Sequence, residues 1–309
     1  MKFLHKSVLL GECIDALNIK SDGIYVDCTA GGGGHSSKIL DKLSTGLLVA
    51  IDKDEEALAV CRERLTKGNV QFIHSDFKNI CQVLDRLGID KVDGILADLG
   101  VSSYQIDNPE RGFSYMASDA PLDMRMDAEQ AFTASDIVNN YSEQQLCDII
   151  RDYGEEKFAK SIARNIVIDR QKSAIETCGQ LVAIIDKSVP HSARKKGSHP
   201  AKRTFQALRI EVNNELAGLE EFVKDAVSRL NPNGKLAVIT FHSLEDRAVK
   251  RSFNDLATDC ICPPNLPVCV CNHRAQGTLV NKKPILPSEG EQMENPRSQS
   301  AKLRVFSKK

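Results

Sequence analysis

The chain has 309 residues, 41% hydrophobic and 27% charged, which fits about two globular domains and excludes disordered, collagen-like and coiled-coil chains. Lys and Arg (41) nearly balance Asp and Glu (42) for a net charge of −1, so a polyanionic partner must meet a local patch rather than a global field. No apolar run approaches the roughly 18 residues of a membrane span, and the opening MKFLHKSVLLGECIDAL, broken by Gly11 and Glu12, lacks a small-residue cleavage site, so a cytoplasmic protein with no membrane partner is expected.

In chain order, Gly23–Thr29 (GIYVDCT) reads as a buried strand, followed by a glycine run and a helix from about His35. Leu47–Ile51 (LLVAI) is a second strand ending on Asp52. Asp54 is placed to cap the next helix, whose inner face carries Ala57, Leu58 and Cys61. Val70–Ile73 is a third strand, Phe77–Leu87 a helix, and Val92–Ala97 a fourth strand ending on Asp98. This alternation predicts parallel βα units. From Val101 to about Lys172 the pattern gives way to loop chemistry (Asn108-Pro109, Arg111-Gly112, Ala120-Pro121) and helices such as Glu155–Arg170, with another over about Gly179–Lys187. After Pro200 the pattern predicts one long helix to about Leu230, the turn Asn231-Pro232-Asn233-Gly234, a strand Lys235–Phe241 and a helix from about Leu244. Two weaker strands follow, Thr278–Asn281 and Lys302–Phe306. The expected architecture is α/β: a doubly wound, Rossmann-like sheet over residues 1–105 and 205–309, interrupted by a mainly helical inserted domain over 106–204.

Ligands of open parallel sheets bind at the carboxyl ends of the strands. Those ends carry Thr29-Ala-Gly-Gly-Gly-Gly-His35, Asp52, Ser75-Asp76-Phe77, Asp98-Leu-Gly-Val and Phe241-His-Ser. The glycines permit close backbone approach to a cofactor, and Asp52 is placed to accept hydrogen bonds from ribose hydroxyls. A phosphate-cradling loop would need Gly-Lys-Ser/Thr, which is absent. A dinucleotide fingerprint fits in part, because Ser36 stands where its third glycine belongs. S-adenosylmethionine, with no pyrophosphate to cradle, fits better, and a nicotinamide-dependent oxidoreductase and a non-catalytic RNA-binding protein stay as alternatives.

Asp98 is a candidate proton acceptor for an exocyclic amine attacking a sulfonium methyl, and a cap or turn role in Asp-Leu-Gly is its plainer reading. Carbon methylation of a pyrimidine would need a cysteine nucleophile near these strand ends. The first cysteine after Asp98 is Cys147 and the first after Phe241 is Cys260, which favours nitrogen as the target atom.

Lys187–Ile210 holds seven Lys/Arg and two histidines with no acid. Arg194, Lys195, Lys196, Lys202 and Arg203 are candidate phosphate contacts for RNA or DNA, with a solvated basic face as the alternative. Only Phe205 flanks the patch as an aromatic. Of ten cysteines, six are scattered and read as reduced, mostly buried residues. The other four, Cys260, Cys262, Cys269 and Cys271, with His273 nearby, are compatible with zinc, iron–sulfur or nothing. Their C-x-C spacing is not the usual C-x₂-C knuckle and Pro263-Pro264 speaks for a rigid loop, so no metal ligand is assigned from sequence.

Eight segments together resemble one family. They are His5–Glu12 (H-x-x-V-L-L-x-E), Asp27–Ser36, Asp98–Ser103, Arg111-Gly-Phe-Ser114, Pro121-Leu-Asp-Met-Arg-Met-Asp127, Tyr153–Ala159, His199–Ala207 and Phe241–Arg247. The chain from His5 to about Arg304 is similar to the bacterial 16S rRNA cytosine-N4 methyltransferase (RsmH, or MraW) family. The resemblance implies a class I methyltransferase sheet, S-adenosylmethionine as donor, and as acceptor the N4 of a cytosine in the decoding centre (P-site region) of 16S rRNA, within the small ribosomal subunit. It places cofactor binding on Gly33, Gly34, His35, Asp52, Phe77, Asp98 and Gln105. If Asp98 holds the cofactor's amino group it cannot be the sole acceptor for the N4 proton. His242 and Arg247 are expected to border the pocket, His242 as a second catalytic candidate, and a homodimer is compatible with the sequence.

Overall fold

A computed structural model of the chain describes residues 7–309 apart from 195–198, 261, 264, 265, 267 and 272. Two compact units result: Met1–Gly100 with Ala217–Lys309, and Val101–Leu216. The first opens with α1 (Leu10–Leu17), β1 (Ile24–Asp27), α2 (Gly34–Leu40), β2 (Leu47–Asp52), α3 (Glu55–Arg64), β3 (Val70–His74), a 3₁₀ turn at Phe77–Asn79, α4 (Ile80–Arg86) and β4 (Val92–Asp98). The second holds α5 (Ser103–Asp107), α6 (Ala134–Asn140), α7 (Glu143–Asp152), α8 (Ala159–Arg170), α9 (Cys178–Ser188) and α10 (Ala201–Asn213). The first then resumes with α11 (Leu219–Ser228), β5 (Leu230–Thr240), α12 (Ser243–Ala257), β6 (Gly277–Leu279), α13 (Glu289–Glu294) and β7 (Lys302–Lys308).

The strands form one sheet in the order β3-β2-β1-β4-β5-β7-β6. The first five are parallel, while β7 runs antiparallel to both its neighbours. Chain order reverses between β1 and β4, which marks the switch point where such sheets bind ligands. Side-chain alternation sends Leu48, Ala50, Leu96, Ala237 and Ile239 into one cluster with Leu17, Ile39 and Leu58 of the first three helices. Asp54 caps α3 by accepting the Glu56 amide at 3.1 Å, as its position predicts.

The helical unit has a core of its own, in which Leu146, Ile150, Ile162, Ile166, Leu181, Ile185 and Leu208 meet. Thr133, Ser142 and Thr177 start α6, α7 and α9 with reciprocal capping boxes. Its described residues form no strand, only the isolated bridge Pro121–Thr177. Arg111, 8% exposed, donates through one guanidinium nitrogen to the carbonyls of Arg125 (3.0 Å) and Met126 (2.9 Å). Asn213 on α10 grips the same loop, accepting the Met126 amide at 2.7 Å and donating to the Met124 carbonyl at 2.7 Å. The Pro121–Asp127 motif is therefore a pinned loop, in which Met124 holds a left-handed φ of 64°.

Four sequence expectations differ. The long helix after Pro200 is two helices, because Asn214 (φ 50°) and Gly218 (φ 80°) are left-handed and end one helix before the next begins. The Asn231–Gly234 turn lies inside β5 as an irregularity, since the register against β4 jumps from Val92–Leu230 to Gly94–Lys235. The helix expected from Glu155 starts at Ala159, since Glu155 itself has φ 49°. A division between residues 204 and 205 would cut α10, whose Phe205 and Leu208 are buried in the helical unit's core.

Candidate active site

Three parallel strands end on a carboxylate: Asp27 on β1, Asp52 on β2 and Asp98 on β4. Since β1 lies between β2 and β4, the acids sit at adjacent strand ends. Asp27 accepts the Ser36 hydroxyl at 2.6 Å and the Thr29 amide at 3.2 Å. Asp52 accepts the amides of Gly31 (2.7 Å) and Asp54 (2.9 Å). Burial pushes both carboxyls up to about 6, against the pull of these hydrogen bonds. Asp98 is raised well above its usual value too, by burial and then by the charges of Asp27 and Glu245. Its Oδ1 is buried without a hydrogen-bond partner among the described residues, yet the side chain keeps 22% exposure. A half-open acid with one unsatisfied oxygen is suited to meet a cationic or amine ligand.

The glycine run is built for close approach. Gly33, at φ 77°, precedes α2 in a conformation that disfavours any β-carbon. A β-carbon on Gly34 would overlap the Ser7 hydroxyl, whereas one on Gly32 would meet only Val60 at 3.7 Å. His35 Nε2 lies 3.1 Å from the Val8 carbonyl, and a carbonyl only accepts, so this nitrogen carries the hydrogen. Nδ1 then faces Asp98 Oδ2 at 3.6 Å. Leu9, in a left-handed conformation, donates its amide to Glu291 Oε1 at 2.8 Å. The segment Ser7–Leu9 thus braces the glycine loop and orients His35, a role for which the sequence offered only the motif as a signal. Gly34→Ala is expected to weaken cofactor binding at least tenfold by calorimetry, while Gly32→Ala stays near wild type.

Phe77 follows β3 with a half-buried ring, set edge-to-face on Phe222 at 4.7 Å and 72°. His242 starts α12 in a capping box: its Nδ1 accepts the Glu245 amide at 3.4 Å, and Glu245 Oε2 accepts the Phe241 amide at 2.9 Å. Its Nε2 lies 3.2 Å from Glu245 Oε1. His242 thus shapes the helix start through Nδ1, while Nε2 is buried without a hydrogen-bond partner among the described residues. Gln105 belongs to the helical unit and closes the capping box of α5, its Oε1 accepting the Ser102 amide at 2.9 Å.

The basic patch splits. Arg194 closes the end of α9, donating to the carbonyls of Asp186 (2.6 Å) and Val189 (3.3 Å). Arg203 donates to the Glu155 carbonyl at 2.9 Å. Lys202 is exposed on the first turn of α10. Lys195 and Lys196 lie outside the described residues. Phe205 is buried, but Tyr115, distant in sequence, stacks on His199 at 4.8 Å and 17°. The fold thereby places an aromatic pair next to Lys202 that the sequence did not signal.

The model of the MraW methylase family matches residues 2–309. Ribosomal RNA small subunit methyltransferase H of Clostridioides difficile (strain 630) is 55% identical over 311 residues, covering 100% of each chain. The protein of the same name from Clostridium botulinum (strain Loch Maree) is 56% identical over 310 residues, again with 100% of each covered. The chain belongs to the MraW methylase family. Its sheet is the Rossmann-like arrangement of class I methyltransferases, and its cofactor is S-adenosylmethionine. A solved rRNA methylase from Streptococcus thermophilus aligns at a TM-score of 0.40 and 13% identity over 96% of this chain and 94% of that one, and the fold assignment rests on the strand order instead. Among the described residues of this methylase, no helix is long and apolar enough to cross a membrane.

The residues present fit the cofactor. S-adenosylmethionine carries a sulfonium and an ammonium cation, and the strand ends offer three carboxylates, one with an unsatisfied oxygen. A cationic ligand favours the ionised acids, so its affinity should rise with pH, by about tenfold per unit below ~6 for each of Asp27 and Asp52 that must lose a proton, and the raised Asp98 carries the rise to higher pH. Calorimetry from pH 5 to 8 reads this directly, and a flat profile would remove the ionisation of Asp27 and Asp52 from binding. Without ligand the sign reverses. The folded state holds protons that the unfolded chain releases near 3.8, so the apoprotein loses stability as pH rises from there through about 6.

Proposed function

We propose that the chain transfers the methyl group of S-adenosylmethionine to the exocyclic N4 of a cytosine in the decoding centre (P-site region) of 16S rRNA, within the small ribosomal subunit. Family membership and the names of its full-length relatives support an rRNA substrate. The observation that carries the choice of nitrogen is the state of the thiols beside the strand ends. Cys13 and Cys28 are buried and pushed well above the usual thiol range, and burial holds Cys61 up to about 12. All three side chains are buried, which speaks against a thiolate nucleophile for carbon methylation and supports nitrogen. An aromatic amine needs only orientation and a proton acceptor.

Gly33, Gly34, His35, Asp52, Phe77, Asp98 and Gln105 are assigned to the cofactor. Bound S-adenosylmethionine supplies an activated methyl group. Asp52 would hold its ribose hydroxyls, and Phe77, half-buried after β3, would line its base. Asp98 offers Oδ1 to one of two groups, the cofactor's ammonium or the attacking amine, and is a proton acceptor only in the second case, while His242 starts α12 beside Glu245. The helical unit supplies the RNA surface, with Lys202 and Arg203 on phosphates and the Tyr115–His199 pair stacking a base. Lys202→Glu with Arg203→Glu should weaken RNA binding and flatten its salt slope by roughly 0.7–0.9 for each phosphate no longer neutralised. Tyr115→Ala should cost about 1–3 kcal/mol at any salt concentration. Affinities unchanged across a salt series would remove this face from RNA binding.

The reaction is tested with labelled S-adenosylmethionine on naked 16S rRNA and on assembled 30S subunits in parallel, with nucleoside digestion of the product. The expected product is N4-methylated cytidine from the subunits. Label on neither substrate, despite measurable cofactor binding, overturns the proposal.

A further inference from the structure

Between α12 and β6, none of the described residues of 258–276 lies in a helix or strand, and the span is longer than the ~12–15 residues usual for an irregular connection. Among the described residues of this segment none is buried, and Leu266, Val268 and Val270 are exposed. Its base is tied by two hydrogen bonds, the Gln276 amide to the Leu256 carbonyl at 2.8 Å and the Ala275 amide to the Asp259 side chain at Oδ1, 3.2 Å. Such a finger buries too little apolar surface to hold its own shape.

All four cysteine sulfurs nevertheless converge. The Sγ atoms of Cys260, Cys262, Cys269 and Cys271 lie within 4.8 Å of one another. Three separations are 3.5 Å (Cys260–Cys269), 3.5 Å (Cys269–Cys271) and 3.8 Å (Cys271–Cys260). Four sulfurs at about 2.3 Å from a tetrahedral zinc ion stand about 3.8 Å apart. The Val270 amide also points at Cys262 Sγ at 3.4 Å, the kind of donor that supports a thiolate ligand. Two C-x-C pairs facing each other across the finger therefore reach the same sulfur tetrahedron that C-x₂-C knuckles reach, which spacing alone did not reveal.

We propose that Cys260, Cys262, Cys269 and Cys271 bind one zinc ion that organises this finger. Binding displaces four thiol protons to solvent and forms four Zn–S bonds, leaving a site of net charge −2. An all-thiolate tetrahedron selects zinc or iron over harder cations, and zinc needs no redox partner. The site is structural, since all four positions are filled by protein.

Elemental analysis of the purified full-length chain should find about one zinc per molecule. Cobalt(II) in its place should give the charge-transfer and strong visible bands of a tetrahedral tetrathiolate. Cys269→Ser with Cys271→Ser should abolish both, whereas Cys81→Ser with Cys147→Ser should leave them intact. Chelation should open residues 258–276 to protease without changing S-adenosylmethionine affinity. Wild-type protein with no zinc and four freely titrating thiols, with two disulfides here, or with iron at these sulfurs overturns the proposal, and none of these readings depends on a variant folding.

Discussion

Asp98→Asn is expected to lower methyl transfer by roughly 10²–10⁴-fold, the range for losing a positioned proton acceptor. The substitution keeps the size and one oxygen of the side chain but removes its charge. Oδ2 already faces His35, so Oδ1 is the oxygen left to meet a ligand amine. One oxygen cannot hold the cofactor's ammonium and receive the substrate's proton at once, and kinetics separate the two roles. A fall in turnover at saturating S-adenosylmethionine with unchanged Kd assigns Asp98 to the proton. A weakened Kd with normal turnover assigns it to the cofactor and returns the proton acceptor to solvent.

The same variant should be more stable than wild type at neutral pH. The folded-state carboxyl is raised, so ionised Asp98 costs about 1.4 kcal/mol for each unit of that rise. The difference should shrink as pH falls toward the unfolded-state value, where wild-type Asp98 is protonated in both states. Gain in stability with loss of activity is the pattern of a residue held in strain for function.

Arg111→Ala should produce the largest loss of stability in the helical unit, about 3–5 kcal/mol. The guanidinium is buried, and its removal strips the Arg125 and Met126 carbonyls of the same charged donor. Arg111→Lys, which keeps the charge and can also donate to two carbonyls from one nitrogen, should recover part of the loss. Hydrogen exchange across residues 101–216 is the proper readout, since two units with separate cores need not unfold together. Protection of α10 and of the Pro121–Asp127 loop near wild-type levels would show that Asn213 alone holds the loop.

What the sequence made legible was local. Apolar runs that stop on an acid located β2 and β4, and the residues ending them proved to be strand-end carboxylates in the fold. The glycine run after β1 declared itself in the same way. What stayed hidden needed partners far along the chain. Nothing near Val8 says that its carbonyl fixes His35, or that Glu291 will reach Leu9. Arg194 looked like a free cation until the end of α9 turned back to it, and Tyr115 lies too far from His199 in sequence to suggest a stacked pair. The break at Asn214 escaped because asparagine itself takes the left-handed conformation there, and the glycine of the break, Gly218, comes only four residues later.

Strand β7 has a consequence for how the molecule is made. It stands inside the sheet, between β5 and β6, although residues 302–308 follow every other strand in the chain. While the polypeptide emerges from the ribosome, the outer edge of β5 from Lys235 to Thr240 stays unpaired, and β6 has nothing to join. The helical unit, closed by short-range packing and by caps three residues wide, can be complete by then. Synthesis thus finishes an inner passenger before its carrier, and the nascent carrier exposes a template for wrong pairing until almost the end. A messenger cut short before Lys302 would encode a protein with that edge permanently open, a natural substrate for chaperones and proteases.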